Sequence, residues 1–430
     1  MVCRVCPAVW GRMTGWGCLA AWAVLAVAAV AGESPNAVDA DAKADALLRS
    51  GAAGPKGSAG PSKPVGGSGH KIIVGVGGVR LPLVVVRGTP YQMGWHLGRA
   101  MQDDMRKMIP SALPKLRQEI GASEQTLVDA WSRTAAFADD RVEQEIVGLA
   151  DGSGMPLASL QAVHAIALLM PYSCSSIAAW GKATADGHLY QTRNLDWSLD
   201  AGIHDFPMIV VYVPDRGVPH VVPSFAGIVG AHTGMNVRGI ALAEMGDAPA
   251  REAPYNLLAP HFTVFFRTIL YDADSLGRTL EIFQSLTHTK RYHYVFGDGR
   301  KDRRAVKIRA HAPEPPDRRI RIWRDNDPDD EVAPAVLENV VYNDEGRGAF
   351  PLLKRDYGAL DGAKMIAIAN RIPIRGGNCE IVVYDATALR FWVSYAKGKQ
   401  EAYLRPYTLI DLTTLDADGD GKPDLNLARP

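Results

Sequence analysis

The stretch that decides the fold runs from Pro171 to Trp197 and reads Pro-Tyr-Ser-Cys-Ser-Ser-Ile-Ala-Ala-Trp-Gly-Lys-Ala-Thr-Ala-Asp-Gly-His-Leu-Tyr-Gln-Thr-Arg-Asn-Leu-Asp-Trp. Its outer parts are apolar and favour strands, and the Asp-Gly pair at 186–187 is a strong signal for a short hairpin turn. The pattern predicts a β-hairpin with Cys174 at the start of the first strand and Arg193 and Asp196 near the end of the second. Folding back at the turn brings both charged side chains close to the thiol, and a neighbouring cation stabilises a thiolate.

The composition limits the classes of function. A chain of 430 residues can bury one large core or two smaller ones. Lys and Arg total 47, and Asp and Glu also total 47, so the formal net charge is zero. Nucleic-acid-binding proteins normally carry a basic excess, and we therefore expect no nucleic-acid partner.

The N-terminal segment predicts export to the periplasm or the cell exterior. Arg4 and Arg12 precede an apolar run over 16–31 that ends in the small-residue pattern Ala-Val-Ala. This arrangement is typical of a secretory signal peptide over 1–31 that is cleaved at its end. The alternative is an uncleaved membrane anchor, although the run is marginal in length for crossing a bilayer. Residues 32–69 are rich in Ala, Gly, Ser and Pro and predict a disordered linker.

Two β-rich runs over 71–87 come first after the linker, helical patterns follow, and strand patterns dominate after the hairpin. Apolar periodicity and capping residues predict four helices that begin near Pro90, Ser123, Arg141 and Pro156. After the hairpin, runs rich in β-branched and aromatic residues predict many strands, with helices among them over 262–270, 275–286 and 363–371. Helices followed by many strands predict an α+β fold.

Several short segments together resemble a known enzyme family. They are Gly-Thr-Pro-Tyr-Gln-Met-Gly-Trp-His-Leu-Gly-Arg at 88–99, Glu-Ile-Val-Gly-Leu-Ala-Asp-Gly-Ser-Gly at 145–154, Ser-Cys-Ser-Ser at 173–176, Arg-Asn-Leu-Asp-Trp at 193–197, and Glu-Ile-Val-Val-Tyr-Asp at 380–385 with Phe-Trp-Val at 391–393. In this order and spacing they resemble the autoproteolytic acyltransferase/hydrolase family typified by acyl-coenzyme A:6-aminopenicillanic acid acyltransferase, peptidase family C45. Its wider clan of N-terminal-nucleophile hydrolases includes the choloylglycine hydrolases, penicillin V acylase and acid ceramidase.

The resemblance implies a four-layer αββα sandwich with an N-terminal helical pro-segment. It also implies self-cleavage between Ser173 and Cys174, which divides the chain into a smaller chain over 70–173 and a catalytic core over 174–412. Cleavage gives Cys174 a free α-amino group, whose pKa of roughly 7.7–8.0 suits a general base near neutral pH. We expect the smaller chain to stay associated, since its apolar helix faces have no other partner.

Catalytic roles follow from the resemblance residue by residue. Cys174 would attack an amide carbonyl and form a thioester, Arg193 would support the thiolate, and Asp196 would hold the new α-amino group. Asn236, in Gly-Met-Asn-Val-Arg-Gly, and Asn343, in Val-Val-Tyr-Asn-Asp, are the candidate oxyanion donors. The implied activity is cleavage of a linear amide in a small N-acyl substrate, with water as the expected acceptor and no required cofactor.

The sequence leaves some assignments open. The clan's further active-site arginine has two candidates, Arg371 and Arg375, and neither is favoured. Cys174 and Cys379 are the cysteines that remain after removal of a signal peptide, and in an exported protein they could form a disulfide. His232 would partner Cys174 in a conventional Cys–His peptidase. A catalytically silent cell-envelope binding protein of the same fold is the remaining alternative.

The acidic tail over 413–430 carries a separate signal. Asp416, Asp418 and Asp420 alternate along it, and Asp424 follows, as in the first half of an EF-hand calcium loop. Leu427 stands at the twelfth position, where such a loop has an acidic residue. The tail is therefore read either as a weak calcium site or as a solvated acidic segment.

Overall fold

The structure, a computed structural model, describes residues 66–170, 172–246, 256–310, 320–330 and 337–425. The predicted signal peptide and most of the predicted linker lie outside the described residues. Strand structure begins at Ser68, slightly before the predicted end of the linker. Within the described ranges, no helix combines the length and the apolar character needed to cross a membrane.

Helices cluster before the hairpin, as the sequence predicts, and recur later in the chain. The helices of the described ranges are α1 (Pro90–Ile120), α2 (Glu124–Ala135), α3 (Arg141–Ser153), α4 (Leu157–Leu169), α5 (Phe262–Asp272), α6 (Leu276–Gln284), α7 (Ala349–Asp356) and α8 (Gly362–Ala369). Thr89 caps α1 through a reciprocal pair of bonds with Gln92, and Ser123 caps α2. Helix α7 is not predicted by the sequence pattern.

Two β-sheets are built from the strands of the described ranges. The strands are β1 (Ser68–Val74), β2 (Leu81–Gly88), β3 (Ser173–Gly181), β4 (Gly187–Asp196), β5 (Pro207–Pro214), β6 (His220–Phe225), β7 (Thr233–Asn236), β8 (Ile240–Gly246), β9 (Tyr292–Asp298), β10 (Arg304–Ala310), β11 (Ile320–Trp323), β12 (Val340–Asn343), β13 (Asn378–Asp385), β14 (Arg390–Tyr395) and β15 (Thr408–Asp411). The large sheet has the order β1-β2-β5-β6-β7-β8-β9-β10-β11, and the small sheet has the order β12-β3-β4-β13-β14-β15.

The predicted hairpin is confirmed and lies inside the small sheet. Strands β3 and β4 pair antiparallel, with Cys174 opposite Leu195 and Ser173 opposite Asp196. At the turn, Asp186 accepts a hydrogen bond from the main chain of His188, and Gly187 adopts a positive φ of 75°. The turn residues therefore set the register that brings the two charged residues beside the cysteine.

The inner face of the small sheet packs against the large sheet. Gln191 on β4 donates to the carbonyl of Val295 on β9 at 3.0 Å, and buried Lys307 on β10 donates to the carbonyl of Tyr342 on β12 at 3.2 Å. On the opposite face, apolar side chains of β3 and β13, including Ile177 and Ile381, form a separate core with α7 and α8. The site residues on the inner face are therefore enclosed between two sheets.

The segment before the hairpin is not wholly helical. It supplies β1 and β2 to the large sheet, and β2 pairs in parallel with β5, Leu83 lying opposite Ile209. Helices α1 and α3 cross closely, because Gly94 and Gly98 of one helix face Gly148 and Gly152 of the other. The smaller chain expected from the resemblance is thus an integral part of the core.

Candidate active site

Cys174 lies at the start of β3 on the inner face of the small sheet, with its side chain fully buried. Directly paired residues of neighbouring strands share a face, and Arg193, two residues before Leu195 on β4, is on the same face. Its Nη2 donates to the sulfur of Cys174 at 3.3 Å. The structure therefore brings together the thiol and the guanidinium that the sequence predicts as neighbours.

Arg193 is held from the large sheet by Glu244 on β8. Its Nε donates to the Glu244 carbonyl at 3.3 Å, and its Nη2 lies 3.6 Å from the Glu244 carboxylate. The hydroxyl of Tyr172 donates to the same carboxylate at 2.8 Å. Glu244 belongs to none of the predicted site motifs, although a single acidic residue inside an apolar strand is a usable signal.

Asp196 lies opposite Ser173, next to the bond predicted to be cut. Its Oδ1 accepts a hydrogen bond from Asn378 at 2.9 Å, and its Oδ2 lies 3.6 Å from Nη1 of Arg347. Arg347 also donates to the main-chain carbonyl of Cys174 at 2.7 Å. One arginine thus contacts both the cysteine and the carboxylate of the candidate site.

The sequence offers Arg371 and Arg375 as candidates for a further active-site arginine, whereas the structure places Arg347 beside Cys174. Both of those candidates are exposed, and Arg375 stacks over the ring of Tyr403 at 3.9 Å. Arg347 follows Asn343 by four residues, across the loop that leaves β12. Only the fold reveals its position, because the contact spans a large separation along the chain.

Burial controls the ionisation of Cys174 and Asp196 in the intact chain. Burial raises the pKa of Cys174 to about 12, opposed by Arg193, so the thiol is protonated at neutral pH. Burial also raises the pKa of Asp196 to about 6, against the Arg347 guanidinium and the Asn378 hydrogen bond. At neutral pH Asp196 is mainly charged and can accept a hydrogen bond from an amine.

The loop after β12 also contacts the residue on the other side of the predicted cut. The hydroxyl of Ser173 donates to the Glu345 carboxylate at 2.7 Å. Glu345 is exposed and has a positive φ of 50°, a conformation that costs free energy for a residue other than glycine. Glu345 and Arg347 together hold both residues that flank the Ser173–Cys174 bond.

Asn343, a predicted oxyanion donor, shares the inner face with Cys174. It pairs with Ser176, two residues along β3, so it is a diagonal neighbour of the cysteine at a typical Cα separation of about 7–8 Å. Its Oδ1 accepts from the main chain of Glu345 at 3.3 Å. Its buried Nδ2 has no hydrogen-bond partner among the described residues. A buried amide donor without a partner can serve a developing negative charge.

Asn236, the other predicted oxyanion donor, is engaged elsewhere. Its Nδ2 donates to the carbonyls of Leu270 and Ala273 at the end of α5. Its Oδ1 accepts from the main chain of Arg238 and Ile240 in the turn between β7 and β8. Both amide hydrogens are therefore used in holding this turn, and the oxyanion role of Asn236 stays a prediction that no contact supports.

The alternative partners considered for Cys174 make other bonds. Cys174 and Cys379 are both free thiols, and the Cys379 sulfhydryl donates to the carbonyl of Trp197 at 3.2 Å, so the structure does not contain the disulfide that the sequence left open. His232 binds the carboxylate of Glu380 through Nε2 at 3.0 Å. Among the described residues, the side chain that hydrogen-bonds the Cys174 sulfur is Arg193.

An apolar cavity of about 60 Å³ opens next to Arg193. Its wall consists of Val163, His164, Ile166 and Ala167 of α4, together with Tyr172, Arg193, Leu195, Trp197, Phe225, Ile228, Gly230, His232, Phe262 and Thr263. Helix α4 precedes the predicted cut and β4 follows it, so both sides of the cut contribute to this cavity.

The acidic tail forms a compact loop on the surface. The carboxylates of Asp416, Asp418 and Asp420 lie within 4.8 Å of one another, a spacing that a metal ion could bridge. Asp424 does not belong to this cluster, because it is buried and paired with Arg87. Calcium binding here stays a prediction, and the cluster is described without Asp424.

Sequence comparison finds two relatives and no family match. No protein-family model matches the chain. Protein dcd1B of Dictyostelium discoideum is 26% identical over 284 residues, covering 60% of this chain and 55% of dcd1B. Protein dcd1A of the same organism is 22% identical over 396 residues, covering 77% of this chain and 85% of dcd1A. The match with dcd1B thus spans about half the length of that relative.

Structural comparison finds distant similarities to solved amidases and acylases. The Caenorhabditis elegans ortholog of N-acylethanolamine-hydrolyzing acid amidase has a TM-score of 0.38 and 15% identity, covering 56% of this chain and all (100%) of that one. Penicillin V acylase from Agrobacterium tumefaciens has a TM-score of 0.37 and 12% identity, covering 58% of this chain and 89% of that one. A mutant of conjugated bile acid hydrolase from Clostridium perfringens has a TM-score of 0.37 and 11% identity, covering 57% of this chain and 94% of that one. At these scores, the similarities carry no conclusion about the activity of this chain.

Proposed function

We propose that the protein is a self-processing hydrolase that cleaves a linear amide through an N-terminal cysteine, Cys174. The observation that carries this proposal is the 3.3 Å contact between the Cys174 sulfur and Arg193, with Asp196 paired opposite the preceding residue. A buried thiol with a cation beside its sulfur and a carboxylate on the residue paired with Ser173 has the parts that such a nucleophile needs.

Maturation would proceed through the cysteine itself. The Cys174 sulfur attacks the Ser173 carbonyl carbon, the peptide C–N bond breaks, and the nitrogen takes up the thiol proton. The acyl group is then carried as a thioester on sulfur. Water hydrolyses the thioester, which yields a Ser173 carboxylate and a Cys174 that has both a free thiol and a free α-amino group. The contact of Arg347 with the Cys174 carbonyl holds the attacking residue during this change.

Substrate cleavage would repeat the same chemistry on an external amide. The α-amino group takes the thiol proton, the sulfur attacks the substrate carbonyl, and the amine product leaves with that proton. Asp196 orients the α-amino group, and the unpartnered Nδ2 of Asn343 supports its assignment as oxyanion donor. Water then releases the acid and restores the thiol. This scheme uses side chains and water, and we propose that it requires no cofactor.

We further propose a four-layer αββα architecture, in which α7 and α8 cover the small sheet. We also propose membership of peptidase family C45 and export of the protein. The apolar wall of the cavity beside Arg193 supports a substrate whose acyl part is largely apolar. Because α4 supplies part of that wall, we expect substrate binding to require the smaller chain.

The deciding experiment compares purified wild-type protein with Cys174→Ala on a denaturing gel. We expect two bands from the wild type, the larger beginning Cys-Ser-Ser-Ile on N-terminal sequencing, and one uncut, inactive chain from the variant. Cys174→Ser should cut slowly, because a hydroxyl performs the same acyl shift less well. Two bands from Cys174→Ala would refute self-cleavage, and an intact wild-type chain would favour a catalytically silent binding protein.

A further inference from the structure

One histidine of the cavity wall, His232, is paired with a buried glutamate and has no role in the proposed chemistry. His232 follows β6, lines the cavity, and its ring stacks on Phe225 with centroids 6.1 Å apart and an angle of 13°. Its Nε2 lies 3.0 Å from Oε1 of Glu380, whose side chain is fully buried on β13. Burying the Glu380 side chain costs free energy. Its pairing with a residue of a mainly apolar wall therefore calls for a functional explanation.

The hydrogen bond to Glu380 fixes which nitrogen of His232 carries the proton. A carboxylate only accepts hydrogen bonds, so Nε2 must donate to it. Burial lowers the pKa of His232, opposed by Glu380, which favours the neutral ring. In the neutral tautomer with Nε2–H, the other ring nitrogen, Nδ1, is an acceptor.

His232 is a partly accessible residue of the cavity wall. Its side chain keeps 12% of its surface accessible, and it is one of the residues that line the cavity. Among the described residues, Nδ1 has no hydrogen-bond partner. By contrast, His164 in the same wall uses both nitrogens, Nδ1 towards the Leu160 carbonyl and Nε2 towards the main chain of Val229.

We propose that His232 is a specificity-determining residue whose Nδ1 accepts a hydrogen bond from an O–H or N–H group carried by the acyl part of the substrate. The preferred substrates would then be amides of acids that combine an apolar body with a neutral donor, such as hydroxy acids. This inference rests on the proposed hydrolase function, because it takes the cavity beside Arg193 as the acyl site.

The surrounding charges favour a neutral donor over an acid group. A carboxylate placed against His232 would meet the like charge of its partner Glu380, whereas the Arg193 cation of the wall is already engaged with Cys174 and Glu244. A group that only accepts hydrogen bonds would meet the lone pair of Nδ1 and leave both acceptors unsatisfied. A hydroxyl satisfies Nδ1 and costs little to desolvate compared with a charged group.

Binding of product acids to the wild-type protein tests the proposal without requiring turnover. Straight-chain acids from butanoic to octanoic acid are compared with their ω-hydroxy and ω-methoxy counterparts by calorimetry. At the chain length that places the hydroxyl at His232, we expect the hydroxy acid to bind about tenfold more tightly than the methoxy acid of the same length. Equal or weaker binding of the hydroxy acid at every length would overturn the proposal.

Matched variants separate recognition from general disruption of the site. His232→Phe should remove the preference for the hydroxy acid, whereas Ile228→Val, an apolar change in the same wall, should preserve it. A preference that survives His232→Phe would contradict the assignment. If His232→Phe does not fold, the wild-type comparison of hydroxy and methoxy acids still decides the question.

The same acids, presented as p-nitroanilides, distinguish this inference from the proposed function. Hydrolysis of the anilides without any hydroxyl preference would leave the hydrolase proposal standing and refute the role of His232. A hydroxyl preference in acid binding without hydrolysis of any anilide would contradict the hydrolase proposal and would leave His232 as a ligand-binding residue rather than a determinant of substrate specificity.

Discussion

The reactivity of Cys174 depends on the charged groups around it, and these would differ before and after cleavage of the Ser173–Cys174 bond. In the uncut chain its thiol is protonated, because burial raises its pKa to about 12 despite the contact with Arg193. Cleavage would add an amine at the same residue and a carboxylate at Ser173. Glu345, already bonded to the Ser173 hydroxyl, would then face a second negative charge. Two carboxylates about 4 Å apart repel by roughly 1 kcal/mol in water and more near a protein surface.

Substitutions of Glu345 should distinguish two effects of this residue. One is that it holds Ser173 in place before the cut, and the other is that it repels the Ser173 carboxylate after the cut. Glu345→Gln keeps an acceptor for Ser173 but removes the repulsion, so we expect near-normal cutting and severalfold lower activity of the cut protein. Glu345→Ala loses the hydrogen bond and should cut more slowly. Gel time courses and activity assays measure the two effects. Glu338→Gln, which alters an exposed pair with Lys182, is the control, and identical behaviour of all variants would exclude this role.

The raised pKa of Asp196 predicts that the stability of the uncut Cys174→Ala chain depends on pH. Its folded-state pKa of about 6 exceeds the ordinary value of 3.8, so the folded chain binds this proton more tightly than the unfolded chain. Its contribution to the free energy of unfolding is full below about pH 3.8 and is lost as the pH rises through about 6. Asp196→Asn should therefore stabilise the chain at neutral pH, by at most roughly 3 kcal/mol, and by much less near pH 4.

Urea unfolding of the two proteins at several pH values measures this difference. An Asp196→Asn chain that is no more stable than its parent at neutral pH would show that the carboxylate is well compensated by Arg347. In the cut protein a protonated α-amino group beside Asp196 would instead lower its pKa, so the stabilising effect of Asp196→Asn is expected for the uncut chain alone.

Among the elements, the crossing of α1 and α3 depends most directly on small residues. A Cβ at Gly148 would overlap the Tyr91 carbonyl oxygen and lie 2.9 Å from the main-chain nitrogen of Trp95. Main-chain atoms in a helix cannot move aside as a flexible side chain can. The two helices therefore approach closely only because glycine occupies these positions.

Gly148→Ala should destabilise the uncut chain by about 1–3 kcal/mol, because the helices must separate to admit the methyl group. Gly277→Ala is a matched control in α6, where an added Cβ meets nothing within 4 Å, and it should be neutral or stabilising by up to about 1 kcal/mol. Denaturant midpoints measured on both variants test this. Equal stability of the two would show that the helix pair can separate without loss.

Local signals explain why most elements, but not all, could be predicted. The hairpin follows from Asp186-Gly187, and α1 and α2 begin at the residues that Thr89 and Ser123 cap. Helix α7 lacks such a signal, because its N-cap is Gly348 without a side-chain hydrogen bond, and it is only 8 residues long. Strand β15 is a short edge strand of 4 residues with exposed Leu409 in it, too brief for a clear alternation.

The site was predictable only as far as one hairpin brings residues together. Cys174, Arg193 and Asp196 lie on adjoining strands joined by a single turn, so their proximity follows from local sequence. Glu244 reaches the site from the other sheet, and Arg347 from the loop after β12. Their contacts require the packing of the two sheets, which no local pattern specifies.

Across the whole molecule, a buried ion pair joins the two segments that cleavage would separate. Arg267 of α5 binds Glu145 of α3 through two hydrogen bonds of 2.7 and 2.8 Å, and both side chains are fully buried. Breaking a buried pair by removing one partner is strongly destabilising, since the remaining charge has no compensation. This pair therefore couples the smaller chain to the core.

We expect the two chains of the cut wild-type protein to co-elute in size-exclusion chromatography. Arg267→Met should destabilise the assembly by about 3–5 kcal/mol, whereas Arg267→Met combined with Glu145→Leu should recover much of that loss. Arg278→Ala, which removes an exposed pair with Glu281, is the control. Separation of the wild-type chains on the column would contradict the expectation.

The parallel pairing of β2 with β5 has a consequence for the lifetime of a processed molecule. Before the cut, the two strands belong to one polymer, and closing the intervening loop costs entropy that grows only slowly with its length. After the cut, restoring the same pairing becomes an encounter between two separate polypeptides, whose rate depends on their concentration. A heated precursor can thus regain its shape on cooling, while a heated mature enzyme would be lost to aggregation. After processing, the lifetime of the folded enzyme would be set by its unfolding rate rather than by its free energy of unfolding.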